Sequence, residues 1–390
     1  MARWNILYIV QSGKLGGAEI SMLLLLKHLN REQFNSIVLA PIKSDVYLKV
    51  KELNVEVINV TLPGIKSYNP FRMVKSLYLL YINSRKIRKI IKNHNISIVH
   101  TISNKRSAAF GILAARLAKV PVIWTIRNFD WLGIIDRLMI VYADKLITVS
   151  EAINNLFNKK PSQKNKFVKI YNAVDISNFH LELNKKRPLL NRWDFKKADV
   201  VVAMVGRLSP EKNHQYFIEA ASKLLKQESN LKFIIIGEKK FYGDENYYHS
   251  LINQCHRMRV ENEIKFINFE NDIPAIMATI DLLVLVSEHE PFGRVLIEAM
   301  AMEKPVIASD IGGPKEIVAH NKTGLLIEPK NAAKLADAIL YIYRNPKIAR
   351  KMGREGRKRV MKYFLVDRYI HEHERVYREI ITRGANENLY

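Results

Sequence analysis

The chain has 390 residues, 48% of them apolar, a single cysteine and a formal net charge of +24. That length makes two domains the default and supplies ample apolar material for a core. Cys255 alone excludes a disulfide framework and any cysteine-based metal site, and no apolar run reaches the ~18 residues of a membrane span.

The charge is uneven. Residues 1–180 carry 27 Lys+Arg against 10 Asp+Glu, and between Glu56 and Asp130 thirteen basic residues meet no acidic one. Nucleic acid, an anionic membrane surface and an anionic substrate all suit such a field, beside the plain alternative of a lysine-rich background.

Asn5 to Val10 is apolar without alternation, which predicts a strand buried on both faces. Gln11-Ser12-Gly13-Lys14-Leu15-Gly16-Gly17-Ala18-Glu19 follows, then an apolar helix to about Leu29. Adjacent glycines at a strand-to-helix turn let a ligand approach the backbone closely. The turn lacks G-x-G-x-x-G, and the chain has no G-K-[ST], so neither a dinucleotide fingerprint nor a P-loop is present. The second strand closes Val38-Leu39-Ala40-Pro41, also without a ribose-binding acid. The N-terminus enters a strand at once, so no signal peptide is expected.

A short helix over Asp45 to Leu53 and a strand over Val55 to Val60 lead to a long helix over Lys66 to Lys92. There Met73, Leu77, Leu80, Ile87 and Ile91 form a core stripe at helical spacing. Phe71, Tyr78, Tyr81, Arg85 and Arg88 fall on another face. Aromatics with cations and no acids suit either an interfacial helix or a solvated basic face. Strands over Ser97 to His100, Val120 to Thr125 and Lys145 to Val149 follow, the second ending Ile126-Arg127-Asn128-Phe129-Asp130. Ser150 caps the next helix. Ile176 to Ala198, charged and irregular, reads as a linker.

The second half restarts the pattern. Val200 to Val205 is a strand, followed by Gly206-Arg207-Leu208-Ser209-Pro210-Glu211-Lys212-Asn213 and a helix from His214. Arg207 and Lys212, with free amides at a helix start, make a diphosphate clamp. Phe233 to Gly237 is the next strand. Leu282 to Val286 leads into Ser287-Glu288-His289-Glu290-Pro291-Phe292-Gly293-Arg294-Val295-Leu296-Ile297-Glu298, in the order strand, tight loop, helix. That is where open α/β sheets bind anionic ligands. Carboxylates repel phosphate, but Glu290 and Glu298 suit a ligand that also carries vicinal hydroxyls, since an ionised carboxylate only accepts. A nucleotide sugar has both groups. Pro305-Val306-Ile307-Ala308-Ser309 and Gly312-Gly313-Pro314-Lys315-Glu316 make a further strand and helix start, and Tyr363 to Ile381 is expected to return to the first domain. Eleven histidines occur without H-E-x-x-H or a close acidic cluster, so no metal site is expected.

These segments resemble the retaining glycosyltransferases of family 4, with E-x-F-G-x4-E and then P-V-I-A-S-x-x-G-G-x-x-E. The resemblance implies an α/β GT-B fold, two doubly wound Rossmann-like domains facing across a cleft. The domains are expected at 1–185 and 186–363, with a returning helix at 364–383. The tail 384–390 resembles the start of a tag linker. Catalysis would rest on Arg207, Lys212 and Glu290. The donor would meet Gly16, Gly17, Arg127, Gly206, Gly237, Phe292, Gly293, Arg294 and Glu298, with backbone near Phe269 at the base. The family usually has a histidine on the donor sugar where Arg127 stands, so this arginine suits a phosphate or an acidic sugar instead.

The implied activity moves a sugar from a nucleotide sugar, such as a UDP- or GDP-sugar, to a glycan or lipid-linked acceptor in cell-surface polysaccharide or glycolipid assembly. Configuration would be retained, with no cofactor, no essential metal and no nucleic-acid partner. The expected place is the cytoplasm, with the inner membrane face as an option. A nucleotide-sugar epimerase of related fold and a basic nucleic-acid binding protein stand as alternatives.

Overall fold

The computed structural model describes residues 3–387 except 12, 64–69, 103–104, 130–132, 159–160, 239–244 and 269–271. Phe269 and the expected helix start at Lys66 therefore lie outside the described residues. The chain folds as two compact units, one running to Asn172 and taking in the residues from Val366 on, the other spanning Ala173–Leu365.

In the first unit the elements are β1 (Trp4–Ile9), α1 (Gly17–His28), β2 (Phe34–Ala40), α2 (Asp45–Glu52), β3 (Glu56–Asn59), α3 (Pro70–Asn93), β4 (Ile96–Thr101), α4 (Lys105–Ala118), β5 (Val122–Ile126), α5 (Ile134–Tyr142), β6 (Lys145–Thr148), α6 (Glu151–Phe157) and β7 (Phe167–Lys169). The strands form a parallel sheet in the order β3-β2-β1-β4-β5-β6-β7. Ile6, Leu7, Tyr8 and Ile9 of β1 are all fully buried, as a central strand covered on both faces requires.

The second unit opens with α7 (Glu182–Lys186). It continues with β8 (Val200–Val205), α8 (His214–Leu224), β9 (Leu231–Ile236), α9 (Glu245–Met258), β10 (Ile264–Ile267), α10 (Ile273–Thr279) and β11 (Leu282–Leu285). Then come α11 (Arg294–Ala301), β12 (Val306–Ser309), α12 (Pro314–Ile317), β13 (Leu325–Ile327), α13 (Ala332–Arg344) and α14 (Pro346–Tyr363). Its sheet is again parallel, in the order β10-β9-β8-β11-β12-β13. The last helix, α15 (Val366–Glu387), belongs to the first unit, where the Tyr369 hydroxyl donates to the Ser21 carbonyl at 3.2 Å.

The division falls at Asn172, earlier than the expected residue 185. Just past it the Val174 N–H donates to the Phe364 carbonyl at 2.9 Å, which ties this stretch into the second unit. The expected linker over 176–198 is packed. Leu190, Trp193 and Phe195 are buried, and the Arg187 guanidinium donates to Asp281 Oδ2 at 2.8 Å and to the Thr279 carbonyl at 3.1 Å. Three apolar anchors outweigh the charged composition around them.

Helix α3 differs from the expected stripe. Ile87 and Ile91 are buried, but Leu77 is 59% exposed and shares a face with Val74, Tyr78 and Tyr81. The side chain of Met73 lies outside the described residues.

Candidate functional site

In each sheet the strand order reverses once, at β1/β4 and at β8/β11. The carboxyl ends of strands at such a switch point diverge and leave a crevice, where ligands of open α/β sheets bind. In the second unit the loops leaving β8 and β11 flank that point. The first holds Gly206, Arg207 and Lys212, the second Glu290, Phe292 and Gly293, and α11, which follows the second, carries Arg294 and Glu298.

Main chain braces the two loops. The Glu288 N–H donates to the Glu211 carbonyl at 2.8 Å, and the Asn213 side-chain amide donates to the Val286 carbonyl at 3.0 Å. Asn213 sits at φ 63° between the Pro210–Lys212 turn and α8, a left-handed conformation that asparagine tolerates. Gly293 takes φ 95° as the residue before α11. Gly237 ends β9 against β8 so closely that a Cβ on it would lie 2.1 Å from the Gly206 carbonyl oxygen.

Among the described residues, three ion pairs hold the charged groups just named. Lys212 Nζ meets Glu290 Oε2 at 2.5 Å, with the side chains only 16% and 11% exposed. Arg294 Nη2 meets Glu298 Oε1 at 3.1 Å, also largely buried, one helical turn apart on α11. Arg207 Nη2 meets Glu211 Oε1 at 2.7 Å, but here the side chains are 40% and 35% exposed. The recorded contacts of Glu290, to Lys212 and to the Ser287 hydroxyl at 3.4 Å, both use Oε2. That of Glu298 uses Oε1. Each carboxylate thus keeps an oxygen that can accept from a ligand hydroxyl.

Next to Lys212, the His214 imidazole is fully buried at the first turn of α8. Burial, with the Lys212 charge added, pushes its pKa down to about 3, so it is neutral at physiological pH. Phe292 was expected on the donor. Its ring is buried edge-on against Phe364, with centroids 5.9 Å apart.

In the first unit Gly16 and Gly17 open α1. The Gly16 N–H donates to Glu19 Oε2 at 3.1 Å. Burial pushes the Glu19 carboxyl up, against the pull of its backbone hydrogen bonds and of the Arg127 charge. Arg127, just past β5, donates from Nη1 to Asn172 Oδ1 at 2.6 Å, and the same oxygen accepts from the Ser21 hydroxyl at 3.0 Å. The Gly17 carbonyl lies 2.8 Å from the same Ser21 hydroxyl as a competing acceptor for its one proton, so Asn172 and Ser21 connect Arg127 to the glycine turn.

The strand ends brought Arg207, Lys212, Glu290 and Glu298 out of the sequence. Sequence reading did not find Glu211 or Asn213. The signal for Asn213 was present, since asparagine after a short turn and before a helix marks a left-handed position. Glu211 carried none, because a lone glutamate beside a lysine is ordinary surface composition.

Residues 15–178 match the family Glycosyltransferase Family 4, and residues 186–359 match Glycosyl transferases group 1. The chain is 28% identical over 327 residues to the UDP-Gal:alpha-D-GlcNAc-diphosphoundecaprenol alpha-1,3-galactosyltransferase of Escherichia coli, covering 79% of this chain and 80% of that protein. It is 22% identical to the N-acetyl-alpha-D-glucosaminyl L-malate synthase of Bacillus anthracis, over 77% and 79% of the two chains. The crystal structure of Anabaena HepE in complex with UDP and glucose superposes with a TM-score of 0.81 at 24% identity, over 95% of this chain and 98% of that one. At that identity the likeness concerns the fold, which is GT-B.

Proposed function

The chain belongs to the group 1, family 4 glycosyltransferases, and from that premise we propose that it moves a sugar, with retention and without an essential metal, from a nucleoside-diphosphate sugar to a lipid-linked acceptor. The observation that carries the reading is the meeting of Arg207, Lys212, Glu290 and Glu298 at the β8/β11 switch point.

The physical logic starts from the leaving group. Breaking the anomeric C–O bond puts growing negative charge on a diphosphate, and fixed cations and amides act most strongly where charge develops. Arg207 supplies an exchangeable cation, Lys212 a buried one, and the amides before α8 add the positive end of a helix. The chain itself provides these charges, which supports a reaction without a required metal. Glu298 accepts from the ribose hydroxyls and Glu290 from the sugar, through the oxygens their ion pairs leave open. In the first unit Arg127 and the Gly16-Gly17 turn serve the donor or an anionic acceptor.

The two relatives differ in acceptor, a diphosphoundecaprenol sugar in one name and malate in the other. The surface of the first unit favours the lipid-linked class. Val74, Leu77, Tyr78 and Tyr81 are exposed along α3, beside exposed Lys75, Arg85, Lys86 and Lys89. Helix α5 exposes Leu138, Val141 and Tyr142 in the same unit. Apolar and cationic side chains together suit the headgroup layer of an anionic membrane. Polysaccharide or glycolipid assembly on the inner membrane face is the corresponding setting.

The test is transfer. UDP- and GDP-sugars are incubated with a polyprenyl-diphosphate-linked sugar, with and without EDTA, and the product is read by mass and by the anomeric coupling in NMR. One added hexose with retained configuration in EDTA is expected. Donor consumption without an acceptor product, an inverted linkage, or loss of activity in EDTA would each overturn the corresponding part.

A further inference from the structure

The three ion pairs differ in how readily they exchange partners. Lys212–Glu290 and Arg294–Glu298 are largely buried, and removing one member leaves a charge with little water to turn to. Arg207–Glu211 is more than a third exposed on both sides. Pairs of that kind contribute little and are readily given up for a stronger partner. A diphosphate is such a partner, because it offers a guanidinium two charge-assisted hydrogen bonds.

Glu211 is also held in place. Its carbonyl takes the Glu288 N–H at 2.8 Å, which pins its main chain to the loop after β11. Burial would raise the pKa of its carboxyl, but the Ser209 side chain, its own backbone amide, Arg207 and Lys212 hold it below the ordinary value. Its carboxylate is therefore held ionised beside Arg207, within the field of Lys212.

Building on the donor reading above, we propose that Glu211 is a positioning residue whose carboxylate stands in for the diphosphate on Arg207. It aims the guanidinium while the site is empty, yields it to the incoming donor, and by its remaining negative charge keeps the nucleoside diphosphate product from binding too tightly. Nothing in the family motifs quoted above assigns Glu211 a role.

Glu211→Gln separates charge from contact, since the amide oxygen still accepts from Arg207. Titration calorimetry of wild type and variant with UDP, GDP and ADP, at low and high salt, reads the effect. The nucleotide that binds wild type is expected to bind E211Q about threefold tighter or more at low ionic strength. That gap should shrink as salt screens the exposed carboxylate. Glu211→Ala removes the acceptor as well and should give back part of the gain. Equal or weaker binding to E211Q, with an unchanged thermal melt, overturns the role of Glu211 and leaves the donor reading standing. If wild type binds none of the three nucleotides, the donor reading falls and this inference with it.

Discussion

Lys212 and Glu290, 78 residues apart in the chain, share a hydrogen-bonded ion pair of 2.5 Å across the β8/β11 switch point. Both side chains are largely buried, so the pair braces the site as well as charging it. Lys212→Met and Glu290→Gln should each lower unfolding free energy by about 3 kcal/mol, the penalty of a buried charge without its partner. The double variant should lose less than the two single losses added, as a double-mutant cycle by urea unfolding would show. Additive losses would mean that the two groups do not depend on each other.

Arg207 should behave in the opposite way. Its pair with Glu211 is exposed, so Arg207→Ala should shift unfolding by at most about 1 kcal/mol. On the proposed reading the guanidinium faces the charge of the leaving group, so turnover should fall on the order of 10²-fold. Stability and rate measured on one preparation check both halves. A wild-type rate would remove Arg207 from the clamp, and Lys212→Ala is held to the same standard for turnover.

The glycines at the strand ends are demanded by packing. A Cβ on Gly237 would lie 2.1 Å from the Gly206 carbonyl oxygen, and one on Gly313 would lie 2.3 Å from the Phe292 Cα. Backbone cannot yield as a flexible side chain does. Gly237→Ala and Gly313→Ala should each destabilise by ~1–3 kcal/mol and loosen the loops that carry the charged groups. A melting temperature equal to that of wild type for either variant would show that the strand ends can spread.

Much of this arrangement was legible before the fold. Runs such as Leu282-Leu283-Val284-Leu285 have the length and flanking breakers of parallel strands covered on both faces, and Gly293 or the Asn213 turn marks the start of the next helix. Arg207, Lys212, Glu290 and Glu298 then fall at strand ends by position alone. Their pairing was not legible, because the partner of Lys212 depends on which strands are neighbours. Nor was the exposure of Leu77, since a helix with apolar residues on two faces does not say which face meets the sheet. The stretch around Trp193 misled for a related reason: its charges are local, whereas the core that receives Trp193 is built by distant segments.

Acid should weaken the fold through its buried histidines. His100 donates to or accepts from the Tyr377 hydroxyl and Thr125 Oγ1, both at 2.8 Å, with the His373 ring tilted beside it at a centroid distance of 6.0 Å. Burial holds His100 well below its ordinary value and puts His373 at about 3, as it does His214. In the unfolded chain these rings titrate near 6.5. Above that pH both states are neutral and the stability is fully present. Below it the unfolded chain gains protons that the folded chain refuses, so stability falls as pH drops from 6.5 toward 3. His373 and His214 should each account for ~2 kcal/mol lost by pH 5. Urea unfolding at pH 7.5 and 5 measures this, and His373→Gln should flatten the pH slope.

The exposed face of α3 sets the last expectation. Val74, Leu77, Tyr78 and Tyr81 lie at positions i, i+3, i+4 and i+7, one stripe of a helix, at 47–67% exposure. Lys75, Arg85, Lys86 and Lys89 stand exposed beside them, in a stretch with no acidic residue between Glu56 and Asp130. A stripe that merely solvates would carry glutamates among its lysines. On the membrane reading proposed above, such a stripe supplies both the charge that would draw the protein to an anionic bilayer and the side chains that would enter its headgroup layer. The chain should therefore sediment with vesicles containing phosphatidylglycerol and not with pure phosphatidylcholine, and 0.5 M salt should weaken the association. Leu77→Glu with Tyr78→Glu should abolish sedimentation while leaving nucleotide affinity unchanged, because both side chains are exposed on α3 and neither belongs to the donor-binding residues. Equal partition of wild type and double variant onto acidic vesicles would assign the binding to the general positive charge and not to this helix.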